Sequence, residues 1–192
     1  MRAPLTLALA LVALGCASSG AANAARETRP FPQTLARFFD DGVDYVESVE
    51  ELGGRVAADW RRQIDTLTQE SDLIVPVRVE TVTSGADATS MGSFRLTAVA
   101  SGPPLHGARP EGGRVELRVV EGEPGFNSVR SNVPRLQSRE YILFARWYTD
   151  EDGAARPHWH LTPRTEGVVQ RVRDAQGYVD PNAPRQTVIR TN

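Results

Sequence analysis

Lysine is absent from this chain of 192 residues, and cysteine occurs once, at position 16. A single cysteine has no intramolecular partner, so disulfides cannot hold the fold and apolar burial must. All twenty-two cationic side chains are arginine. They are scattered and mostly neighbour acidic residues, which reads as compositional bias rather than as a phosphate-binding surface. With no basic run and a formal net charge of −2, nothing attracts a nucleic-acid partner. The motifs of catalysis are missing too. No Gly-x-Ser-x-Gly elbow occurs, Gly122 to Gly125 is acidic and proline-bearing rather than a phosphate cradle, and no carboxylate spacing nominates an acid/base pair. The chain is therefore expected not to be an enzyme and to carry no cofactor.

What is present begins at the N-terminus. A cationic start, Met1-Arg2, leads into the apolar run Leu5 to Gly15, which ends at Cys16. Spanning a bilayer takes roughly 20 apolar residues, so this run is too short for a membrane helix and has the layout of an export signal. Ala13-Leu14-Gly15-Cys16 resembles the lipobox of bacterial lipoproteins. The resemblance implies acylation of the Cys16 thiol, cleavage before it and acylation of the new N-terminus, giving a lipid-anchored protein of the cell envelope. Ala17 after the cysteine, in place of the aspartate of inner-membrane lipoproteins, implies the outer membrane. Ala22-Asn23-Ala24 offers an alternative, an ordinary secretory cleavage that would release a soluble periplasmic or secreted protein. On the first reading residues 1–15 are signal and 16–32 a tether.

Residues 33–71 read as a helical segment. Leu35, Phe38 and Phe39 make a short apolar face before Asp40-Asp41-Gly42, and Ser48 with Glu51 has capping-box spacing. Val56, Trp60, Ile64 and Leu67 form one stripe on a helix from Arg55 to about Glu70. Residues 72–177 carry the β signal. Alternation predicts strands from Leu73 (with Pro76 marking an edge or a bulge), over Ser93 to Ala100, over Arg114 to Glu121 and over Pro157 to Leu161. Tyr141 to Tyr148 is apolar on both faces, as a covered central strand would be. Gly122 to Ser138 reads as a loop. Thr162-Pro163 with Gly177 frames a C-terminal helix bearing Val168, Val169 and Val172, and 178–192 reads as a tail.

The expected fold is thus α+β and mainly β, a small antiparallel five-stranded barrel with an N-terminal helical segment and a C-terminal helix. The entry strand Asp72-Leu73-Ile74-Val75, the Phe94 strand, and Leu136 followed by Glu140-Tyr141-Ile142-Leu143-Phe144 resemble the OB-type barrel of netrin-like and metalloprotease-inhibitor (TIMP) domains. In TIMP domains a free N-terminal cysteine amine grips the catalytic zinc. An acylated Cys16 would have no such amine, so inhibition is not carried over with the architecture.

Two further features are candidates for function. His158-Trp159-His160 on a strand would put both imidazoles on one face, where they could supply two metal ligands with Glu166 or Asp150 as a third; alternatively, Trp159 and Leu161 fill the core and the histidines face water. Phe126 and Arg130, in the long polar segment after Gly125, could contact a protein partner, or the phenylalanine is tucked in. The leading expectation is a non-catalytic binding or structural protein, attached to the membrane through Cys16.

Overall fold

The structure, a computed structural model, describes residues 30–47, 52–86, 92–149 and 155–177. The signal, Cys16, most of the tether, the Ser48–Glu51 capping box, Asp150 and the tail lie outside the described residues. In chain order the elements are β1 (Gly42–Val43), α1 (Gly54–Glu70), β2 (Leu73–Ala86), β3 (Gly92–Ala100), β4 (Arg114–Val120), α2 (Phe126–Leu136), β5 (Glu140–Thr149), β6 (Ala155–Pro163) and α3 (Glu166–Ala175). The fold is α+β and mainly β: one six-stranded mixed half-barrel sheet, ordered β1-β6-β5-β2-β3-β4, with three α-helices.

This corrects the expected five-stranded antiparallel barrel. The sixth strand, β1, is two residues long and runs parallel to β6, pairing Gly42 with His160 and Val43 with Leu161. Two residues carry no periodicity, so alternation could not reveal it. The helix α2 is a second correction, since it lies within the segment read as a loop. It buries only Phe126, Val129 and Leu136 and contains Pro134, leaving a thin apolar stripe in a polar sequence.

The sheet carries a core on each face. On one face Leu73, Val75, Val77, Leu96, Leu117, Leu143 and Trp159 pack with Val129 and Leu136 of α2. On the other, Ile74, Ile142 and Phe144 meet Trp60, Ile64 and Leu67 of α1 and Val168 and Val172 of α3. β5 lies between β6 and β2 and is buried on both sides, as its sequence predicted. In α1 the buried stripe is Ala57, Trp60, Ile64, Leu67 and Thr68; Val56, placed on the stripe by the sequence pattern, is 59% exposed, and Ala57 takes the inward position instead.

The prolines follow ladder parity. Asp41 N–H reaches the Trp159 carbonyl and Asp44 N–H the Leu161 carbonyl, so odd-numbered residues of β6 direct their backbone groups away from β5. Pro157 and Pro163 share that parity and cost the β5–β6 ladder no donor. Pro76 is in a central strand rather than at an edge. It precedes the β3 ladder, which ends at Val77↔Ala100, and a register shift follows between Val79 and Thr81. The C-terminal helix starts later than expected. Thr162 and Pro163 finish β6, and Thr165 is the cap, its hydroxyl accepting the Val168 N–H.

Candidate functional site

The segment Asp40–Asp44 lies along β6 and meets both histidines. Asp41 has a left-handed backbone (φ 54°), unusual for a residue other than glycine. That turn lets it bond β6 twice: its N–H donates to the Trp159 carbonyl at 2.9 Å, and its Oδ1 accepts the Trp159 N–H at 2.9 Å. Its second oxygen, Oδ2, lies 2.6 Å from His158 Nδ1. A side-chain oxygen thus replaces a ladder acceptor, while the carboxylate orients an imidazole.

Two glycines make the placement possible. Gly125 N–H donates to the Asp40 carbonyl at 2.7 Å, and a Cβ on Gly125 would come within 2.4 Å of backbone atoms of Asp40 and Asp41. A Cβ on Gly42 would meet Gly125 Cα at 2.9 Å. The chains cross here because neither position has a side chain. Ser128 Oγ, in the first turn of α2, then accepts the Val43 N–H at 3.1 Å.

His160 is buried at 2% exposure, so the expectation of two histidines on a wet face fails for it. Both imidazoles do share a face, with Trp159 directed to the opposite core, as the strand parity required. His160 Nδ1 lies 2.8 Å from Asp40 Oδ1 and Nε2 3.3 Å from Asp44 Oδ2. Asp44 is further satisfied by Thr162 Oγ1 at 2.8 Å, Val46 N–H at 3.2 Å and Trp60 Nε1 at 3.3 Å. Burial disfavours a charged imidazole here, but hydrogen bonds and charge from Asp40 and Asp44 outweigh it and push the pKa up to about 10. His160 is accordingly a buried imidazolium between two carboxylates, with no nitrogen lone pair to offer a metal. Glu166 stands in the first turn of α3, outside this cluster. Among the described residues no group of three or more His, Cys, Asp or Glu side chains is arranged to hold a metal ion.

His158 is different. Its ring stacks on Phe31 at 4.0 Å between centroids, and Tyr148 lies 5.5 Å away at a tilt. Its side chain is 28% exposed and lines a cleft of about 750 Å³. The cleft runs between the outward face of β4 (Glu116, Arg118, Val120) and the ends of β5 and β6, with Phe31 and Asp41 in its walls. This is where the half-barrel sheet stays open. Trp159 Nε1 bridges the gap behind it, donating to the Arg118 carbonyl at 3.0 Å. Burial raises the Asp41 carboxyl to about 7 against the pull of His158. At His158 burial acts downward, and the hydrogen bond and charge of Asp41 overcome it, so the imidazole is held above its ordinary value. The pair titrates as one unit and keeps a proton near neutral pH.

Phe126 is buried in the core shared by β2–β6 and α2, 5.3 Å from Phe94, and the Arg130 guanidinium lies over its ring at 5.8 Å. The phenylalanine is the tucked-in one. Sequence reasoning missed Asp40, Asp41 and Asp44. Three aspartates set among Phe38, Phe39 and Val43 were the available signal, acidic residues inside a segment otherwise headed for the core.

Comparison with known protein families, with characterised proteins and with solved structures finds no match.

Proposed function

We propose that this chain is a lipid-anchored protein of the cell envelope, held through Cys16 at the outer membrane, whose β body serves as a non-catalytic binding module. The observation that carries the binding role is the cleft of about 750 Å³, a volume typical of small-molecule sites, walled by aromatic rings and by the oriented Asp41–His158 pair. The anchor rests on the lipobox residues. Cys16 is fourteen residues before Pro30, a cleft-lining residue, and fourteen residues span at most about 50 Å fully extended. Acylation would therefore keep the cleft within that reach of the bilayer.

Fatty-acid labelling with membrane fractionation tests the anchor. The wild-type chain is expected to take up label and sediment with membranes, and Cys16→Ser to lose both; label retained by the variant would refute the anchor. The neutral probe 2-naphthamide tests the cleft. Ligand efficiencies of about −0.3 kcal/mol per heavy atom place its dissociation constant near millimolar. Titration of the full chain should show that affinity, and Phe31→Ala should weaken it several-fold. No binding of any naphthyl probe would overturn the binding role.

A further inference from the structure

We propose that the cleft takes a small molecule with an apolar body and one oxyanion, and that the Nε2–H of His158 donates to the oxyanion. This deepens the binding reading above and rests on it. The geometry leaves His158 one functional edge. Nδ1 is committed to Asp41 at 2.6 Å, one ring face is covered by Phe31 at 4.0 Å, and Tyr148 flanks the ring. The carbon-and-nitrogen edge carrying Nε2 is what a cleft occupant can meet. With Nδ1–H given to a carboxylate and the pair holding its proton, Nε2–H is a charged donor, and charge-assisted hydrogen bonds to oxyanions are about twice as strong as neutral ones.

The formal charges lining the cleft balance, so a preference for an anion is set locally, at the open edge of His158. Cations come from two of the three strands that line it, Arg118 on β4 and Arg156 and His158 on β6, while β5 contributes Tyr148 and Thr149. Three acids oppose them, of which two are engaged within the protein. Asp41 has one oxygen on His158 and the other on the Trp159 N–H. Glu123 accepts the Val120 N–H. Glu116 remains. Arg118 and Arg156 likewise have contacts of their own, and engaged groups of either sign keep their field. The apolar body of the ligand has its counterpart in Phe31, Tyr148, Val120 and the two prolines at positions 30 and 157.

The test uses a matched pair, 2-naphthoate and 2-naphthamide, titrated into the full chain by calorimetry. At about pH 6 naphthoate is expected to bind about tenfold more tightly than the amide, a difference of about 1.4 kcal/mol. His158→Gln, with its fold checked by circular dichroism, should erase the preference, so that naphthoate and naphthamide bind with equal affinity. If that variant does not fold, the unmodified chain supplies the second arm. With Nδ1–H directed at Asp41, Nε2 carries a hydrogen only while the imidazole is protonated, and Asp41, Glu123 and Arg156 set that charge, so the preference should shrink as pH is raised well above neutral. Equal binding of the two probes would overturn the oxyanion inference and leave the binding role standing. A preference that survives both His158→Gln and the rise in pH would overturn the part assigned to His158. Binding of neither probe would overturn inference and binding role together.

Discussion

Replacing His160 by alanine is expected to remove about 3–5 kcal/mol of stability, the cost of breaking a buried ion pair by deleting one partner. The imidazolium is 2% exposed and sits between Asp40 and Asp44, so its removal leaves two carboxylates facing one another across a cavity. Urea denaturation at about pH 7 measures the loss; a change under about 1 kcal/mol would show that the cluster is not charged as described. The pH dependence has a definite sign. Folding raises the His160 pKa from 6.5 to about 10, so the folded state binds this proton more tightly than the unfolded one. The resulting stability is complete below about pH 6.5 and is lost as pH rises through about 10. The unmodified protein should weaken over that alkaline window, and His160→Ala should lack this component of the decline.

Trp159→Ala is expected to cost a similar amount, about 3–5 kcal/mol, for a different reason. Trp159 is fully buried, and its indole fills the core on one face of the half-barrel sheet. It also ties β6 to the exposed edge of β4 through the Arg118 carbonyl, two strands that share no ladder. Trp159→Phe separates the two contributions. It keeps most of the buried area and loses the N–H donor, for which about 1 kcal/mol is expected. Denaturation of both variants checks the pair of values. Equal losses in the two would mean that the hydrogen bond, not the volume, holds the seam.

The elements that were legible in the sequence are those with a long pattern of their own. β5 announced itself by being apolar on both faces, α1 by a stripe repeating every three or four residues, and β3 and β4 by alternation. What escaped was short or was decided elsewhere in the chain. β1 has two residues, and its existence depends on β6, some 118 positions away. In α2, Pro134 and the polar Asn127, Ser128, Ser131 and Asn132 hide a stripe of three buried residues. Thr162-Pro163 resembled a helix start, but β5 continued the ladder to Tyr141↔Pro163 and claimed both residues for a strand. The candidate site was half legible. Parity placed His158 and His160 on one face correctly. The only local mark on Asp40, Asp41 and Asp44 was their place among Phe38, Phe39 and Val43, and what makes them special is an imidazole on another strand.

That separation has a consequence for how the protein acquires its site. The β2–β3–β4 meander joins neighbours in sequence and can form early, whereas Asp41 and His158 are 117 residues apart and must close a loop containing nearly the whole body. The Asp40–Asp44 segment, seated against Gly125 at the start of α2, is then the piece expected to lock last. On loop-closure grounds it is expected to settle along β6 after the sheet and the first turn of α2 have formed its seat. On that order the Asp41–His158 pair and the wall of the cleft would form together, late in folding.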